Sequence, residues 1–209
     1  ERYHYGGSAT RSDSHTKNML SENTLSYKKT FKKKHKLDVV AGFTAQHNRN
    51  DYVYANGRGY LDDNVTAYNM GSLVDKRCLT VSTSASELQR YSVLARVNYS
   101  YGGRYHLTVT GRGDASSNFA EGHKWAFFPA AAFKWSISNE KWMKGTKSWL
   151  SDLSLRISAG RSGNDAVSTY VSQMVLSTNQ SGWLFGDAYE VSYYPTRIDN
   201  PNLTWEKTD

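Results

Sequence analysis

The sequence predicts an all-β chain: about seven antiparallel strands forming part of a transmembrane β-barrel. Three observations carry this prediction. Long stretches alternate apolar and polar residues with period two, as strands with two different faces must. The connections between these stretches alternate between short and long, as they do where hairpins turn on opposite edges of a barrel. Aromatic residues gather near both ends of the strands, where two membrane interfaces would select them.

The elements follow in order. Residues 1–21 are polar and read as a loop. Residues 23–31 read as a strand with Leu25 and Tyr27 outward and Ser26 and Lys28 inward. A basic turn, Lys32-Lys33-Lys34-His35, leads to a second strand over 37–48. There Leu37, Val39, Ala41, Phe43 and Ala45 oppose Asp38, Gly42, Thr44 and Gln46. Residues 50–87 hold Asn56-Gly57, Gly59 and Asp62-Asp63-Asn64, turn formers that predict a long polar loop.

The clearest alternation spans the next two strands, 88–101 and 104–114, joined at Gly102-Gly103. Tyr91, Val93, Ala95, Val97, Tyr99 and Tyr101 fall on one face. Arg90, Ser92, Arg96, Asn98 and Ser100 fall on the other, with Leu94 as the one apolar intruder. In the second strand Tyr105, Leu107 and Val109 oppose His106, Thr108, Thr110 and Arg112. After a loop at 115–124, a fifth strand over 125–137 sets Trp125, Phe127, Pro129, Ala131, Phe133, Trp135 and Ile137 outward. Ala126, Ala130, Ala132, Lys134 and Ser136 face inward. A connector over 138–151 has room for a short helical turn, and residues 153–160 make a sixth strand. Residues 161–202 read as a long Tyr- and Gly-rich loop with minor strands around 168–177, and Leu203 opens a seventh strand.

Alternation alone fits two architectures. A soluble β-sandwich, such as a carbohydrate-binding or adhesin module, would turn the apolar face onto a second sheet. A barrel would turn it to lipid and leave water inside. Loop asymmetry, strand length and two aromatic belts favour the barrel. Tyr99, Tyr101, Tyr105, Phe133 and Trp135 lie near the short-turn edge, and Tyr91, Trp125 and Phe127 near the long-loop edge.

Composition narrows the function. Of 209 residues, 15 are Tyr and 6 are Trp, an aromatic content suited to interfacial girdles. No stretch approaches the ~18 apolar residues of a membrane helix. The net charge of +7 sits partly in clusters such as Lys32-Lys33-Lys34, but no nucleic-acid-binding pattern accompanies them, so nucleic acid is not an expected partner. The single cysteine, Cys78, excludes an internal disulfide framework. The six histidines lack paired ligand spacing, so no metal is expected, and Asp62-Asp63-Asn64 reads as a solvated turn before it reads as a calcium loop. No nucleophile elbow, zinc-protease motif or phosphate loop is present. The expectation is a protein that is not an enzyme and needs no cofactor. The chain reads as an internal piece of a longer protein.

Several segments resemble the barrel of SusC/RagA-type TonB-dependent outer-membrane transporters of Bacteroidetes. They are Leu25 through Gly42-Phe43, the strand Arg90-Tyr-Ser-Val-Leu-Ala-Arg-Val-Asn-Tyr-Ser-Tyr101, and Gly111-Arg-Gly-Asp-Ala-Ser-Ser-Asn-Phe119. In the last of these Ala115 stands where the family usually has Gly. The Trp125–Trp135 strand, Leu155-Arg-Ile-Ser-Ala-Gly160 with Gly163-Asn164, and Asn200-Pro-Asn-Leu-Thr-Trp-Glu206 complete the set in family order. The resemblance implies a plugged barrel of about 22 strands, all of residues 1–209 belonging to that one barrel domain, and residence in the cell outer membrane. It further implies a SusD-like surface lipoprotein lid, energy from TonB through parts outside this chain, and glycan or peptide cargo. It makes the Gly102-Gly103 turn periplasmic.

The candidate substrate-binding residues are those a wet lumen or an outer loop would present. Arg90, Arg96, His106, Arg112, Asp114 and Arg156 lie on the inward face. Trp183 and Tyr193 lie in the longest outer loop, where flat rings can stack on sugars and peptides. Arg112-Gly113-Asp114 spells an adhesion tripeptide, but its place at a strand end favours a structural role.

Overall fold

The computed structural model describes residues 7–60, 67–73, 75–185 and 188–209, with backbone alone over 179–190. Six strands form one sheet in chain order: β1 (Gly7–Phe31), β2 (His35–Tyr60), β3 (Leu79–Tyr101), β4 (Tyr105–Ser116), β5 (Trp125–Ser136) and β6 (Ser154–Gly160). The short β7 (Ser162–Asn164) pairs with β10 (Glu206–Thr208), and β8 (Val175–Phe185) pairs with β9 (Ala188–Arg197). The fold class is as expected: an antiparallel barrel segment, open because the barrel does not close within this chain. Chain packing divides it into two units, described separately.

One unit comprises Glu1–Met19 and His47–Leu88. Here the expectation of loops at 1–21 and 50–87 is corrected: β1 begins at Gly7, β2 runs to Tyr60 and β3 begins at Leu79. The segment escaped notice because it carries almost no apolar alternation. Polar cross-strand bonds replace it. Ser14 and Thr16 hydroxyls donate to Asn50 Oδ1 at 3.1 and 3.3 Å, and Asn56 Nδ2 donates to Thr10 Oγ1 at 2.7 Å. Tyr60 and Leu73 are buried, and the Tyr60 hydroxyl donates to the Met70 carbonyl at 3.2 Å. Asp62, Asp63 and Asn64 lie outside the described residues.

The other unit comprises Leu20–Gln46 and Gln89–Asp209. Its register keeps the two faces apart: Tyr91 stands opposite Ala115, Val97 opposite Val109, and Val109 opposite Ala131. Leu94, the apolar intruder on the polar face, has a reason to be there. It sits over Gly42, where an added Cβ would lie 3.3 Å from Leu94 Cγ. The two tight turns share one geometry. Lys34 N–H bonds to the Phe31 carbonyl and Arg104 N–H to the Tyr101 carbonyl, and both central residues of each turn have positive φ. That is the type I′ arrangement, whose twist suits a hairpin. Gly102-Gly103 adopts it without penalty; Lys32 and Lys33 adopt it at φ 46° and 60°.

Buried apolar residues are few. Phe119, Ala126, Phe128 and Trp205 cluster together, with Val167 and Leu203 against them. Phe128 belongs to the inward set of β5 by parity, since it pairs with Arg112. The outward residues stay bare: Val109 is 47% exposed and Ile157 64%. Two further expectations need correction. Minor strands around 168–177 give way to the β8–β9 hairpin. The seventh strand begins at Glu206, after Trp205 is drawn into the cluster, and its three residues pair with β7 outside the six-stranded sheet. The connector does hold helical turns, at Ile137–Asn139 and Lys141–Thr146.

Candidate functional site

The polar face of β3 to β6 forms three cross-strand rows. Arg96, Thr110, Ala130 and Gly160 stand in line; then Asn98, Thr108, Ala132 and Ser158; then Ser100, His106, Lys134 and Arg156. Side chains two residues apart on a strand share a face, so all three rows look the same way. Small residues on β5 and β6 make the floor of an open groove of about 530 Å³, with Arg96 and Arg156 among its walls. Gly160 lies so close to Ala130 that an added Cβ would come within 2.6 Å of the alanine methyl carbon. The floor is therefore as low as side chains permit.

The charged residues lining this groove, Arg96 and Arg156, are both cations, and His106 and Lys134 stand in the adjoining row. Arg96 Nε donates to Thr110 Oγ1 at 3.3 Å, and Ser100 Oγ lies 2.8 Å from His106 Nδ1. Lys134 stands directly opposite both His106 and Arg156. Among the described residues no ion pair links Arg96, Lys134 or Arg156 to a carboxylate. Like charges placed opposite one another on a sheet repel.

Nearer the long-loop edge the charges are paired internally. Arg90 Nε donates to Asp165 at 2.6 Å, and Arg112 Nε donates to both Asp114 oxygens at 2.9 and 2.8 Å. Arg112 Nη2 reaches Ser92 Oγ at 3.2 Å. Arg161 forks onto Asp209 at 2.5 and 2.8 Å. A second groove lies between these pairs and the Phe128–Trp205 cluster, and Trp205 Nε1 is fixed by the Lys124 carbonyl at 2.8 Å. Gly163 belongs to this wall: a Cβ there would meet the Phe128 ring.

The predicted residues thus fall into groups. Arg96 and Arg156 line one groove, with His106 in the adjoining row; Arg90, Arg112 and Asp114 line the other. Tyr193 is exposed on β9 and lines neither, and the Trp183 side chain lies outside the described residues. Gly113 is paired with Phe127 inside the sheet, so the Arg-Gly-Asp tripeptide is not displayed on a loop tip. Sequence reasoning missed Asp165, Phe128 and Glu140. Parity could have found Phe128. Asp165 and Glu140 are in connections, where no periodicity identifies a partner.

A sheet with a bare apolar face, aromatic rows at both ends and a basic, small-floored opposite face is a section of a membrane β-barrel. The chain belongs to the TonB dependent receptor-like, beta-barrel family, whose model matches residues 1–209. It is 34% identical to TonB-dependent receptor P3 of Formosa agariphila over 96% of this chain and 20% of that protein. It is 37% identical to TonB-dependent receptor SusC of Bacteroides thetaiotaomicron over 56% of this chain and 12% of SusC. The solved structure of the RagAB peptide transporter superposes with a TM-score of 0.83 at 25% identity, over 95% of this chain and 21% of that one. The chain therefore spans about a fifth of the length of TonB-dependent receptor P3 and of the RagAB chain it matches.

Proposed function

We propose that the whole chain, residues 1–209, is a section of a single barrel domain in an outer-membrane TonB-dependent transporter. The transporter takes up glycans or oligopeptides and is capped by a SusD-like lipoprotein. The observation that carries this reading is the exposure of Tyr91, Val93, Val97 and Tyr99, which range from 37% to 50%. A soluble sandwich would bury those four residues against a second sheet. Membership of the TonB-dependent family supports the same reading, as does the likeness to a peptide transporter.

Within that protein, Arg96, His106, Lys134 and Arg156 face the lumen and receive anionic groups of the plug or of cargo. Arg90, Arg112 and Asp114 brace the wall near the long loops, and Trp183 and Tyr193 contribute rings to the outer recognition surface. The test is extraction and uptake with the full-length protein. It should leave membranes only with detergent, show heat-modifiable migration, and bring a surface lipoprotein with it. Arg96→Ala with Arg156→Ala should lower uptake of acidic cargo while leaving barrel assembly intact. A protein that stays monomeric in plain buffer refutes the proposal.

A further inference from the structure

We infer that the short-turn edge of this sheet binds anionic phospholipid headgroups of the adjacent leaflet. The inference rests on the barrel reading and adds a lipid site to it. Its elements are the β1–β2 turn and the connector between β5 and β6.

The turn carries Lys32, Lys33 and Lys34, all exposed. The connector carries Lys141, Lys144 and Lys147, also exposed. None of the six forms an ion pair among the described residues. The acids nearby are already engaged. Glu140 takes Arg104, the Tyr105 hydroxyl and Trp135 Nε1 at 2.6, 2.7 and 3.1 Å; Asp38 meets Lys28 at 3.4 Å; and Asp152 accepts from Ser138 at 2.9 Å. The edge therefore presents uncompensated positive charge.

Hydrogen bonds tie the β1–β2 turn, the Gly102-Gly103 turn and the connector to one another. Gly102 N–H bonds to the Lys34 carbonyl at 2.8 Å, and Asn139 Nδ2 bonds to the Gly103 carbonyl at 2.9 Å. The occupant is identified by what accompanies the charge. Trp142 and Trp149 stand 66% and 74% exposed on the same connector, and at the strand ends beside it Tyr105 stacks on Trp135 at 6.4 Å. Exposed indoles beside lysines are placed where an acyl boundary meets phosphate.

A second observation is independent of charge counting. Two hairpin turns share one geometry, yet one uses Gly-Gly and the other keeps Lys32-Lys33 in left-handed backbone. In such positions the Cβ of a non-glycine residue crowds the following carbonyl oxygen. A strained residue held against its own preference points to a role for its side chain.

The test reconstitutes the full-length protein in phosphatidylcholine bilayers doped with spin-labelled phosphatidylglycerol or spin-labelled phosphatidylcholine. The native protein should enrich the anionic label about threefold or more, and added salt should remove the enrichment. Lys32→Asn with Lys33→Gly installs a relaxed type I′ pair and should fold at least as well while losing part of the preference. Lys141→Gln, Lys144→Gln and Lys147→Gln should remove most of the rest. Lys124→Gln, in the opposite loop, should change nothing. A barrel that inserts but shows no preference, or one that the lysine variants do not affect, overturns this inference alone. A protein that stays in water overturns the barrel reading with it.

Discussion

The ring of Phe128 fills the space in which a side chain at Gly163 would stand, and an added Cβ would collide with Phe128 Cζ. The contact brings the start of the longest connection against the sheet. Trp205 then packs edge-on against the same ring at 5.5 Å, and Phe119 packs on Trp205 at 5.0 Å. The glycine matters here for its missing side chain; no positive φ is involved.

Gly163→Ala should therefore destabilise the full-length barrel, by about 1–3 kcal/mol if the ring is displaced within a closely packed cluster. Phe128→Ala should cost about 3 kcal/mol from the cavity it leaves. Denaturant unfolding in detergent checks both. The double variant should recover most of the Gly163→Ala penalty relative to Phe128→Ala, because the clash then has no second partner.

The two faces of β4 should respond oppositely to charge. Val109→Arg puts a guanidinium on the lipid face and should cost about 2–4 kcal/mol if it lies near the bilayer midplane. Thr108→Arg, one residue away on the lumen face, should cost little. Refolding into lipid vesicles measures the difference. Equal effects at the two positions would contradict the assignment of faces.

Glu140 makes the connector sensitive to acid. Its carboxylate accepts from the Tyr105 hydroxyl, Arg104 and Trp135, and these bonds hold its pKa below the ordinary 4.5. A lowered folded-state pKa adds stability above the unfolded value, and that stability is lost as pH falls through the folded value. Protection factors over 137–152, taken against the intrinsic exchange rate at each pH, should fall on acidification below the ordinary carboxyl range. Glu140→Gln should flatten that dependence and leave exchange at neutral pH faster than in the native protein.

Arg90 and Asp165 form a tether between β3 and the residues following β7. The pair is partly exposed, so its net worth should be about 1 kcal/mol or less. Asp165→Asn should raise protease access to the segment after β7 without changing barrel stability measurably. An Arg90→Asp, Asp165→Arg exchange should restore protection if the charge pair itself does the holding.

Much of this architecture was legible before any coordinates. Period-two alternation located the β3–β4 hairpin, its faces and its turn, because each side of that pleat meets a different medium. The family motifs located the Trp205 segment. What stayed hidden were the extensions of β1 to β3, where polar residues pair with polar residues and no face is apolar. Asp165 opposite Arg90 also stayed hidden, since 75 positions separate them.

The sequence by itself determined which residues share the apolar face, since hydrophobic alternation is a local property of an extended chain. It also determined the family. The tertiary structure alone decided which lumenal charges are spent on one another and which are not. Arg112 meets Asp114 within its own strand and Arg90 meets Asp165 across a long connection, while Arg96 and Arg156 have no carboxylate partner among the described residues. Ion pairing depends on approach in space, and no periodicity along a strand encodes where a connection returns.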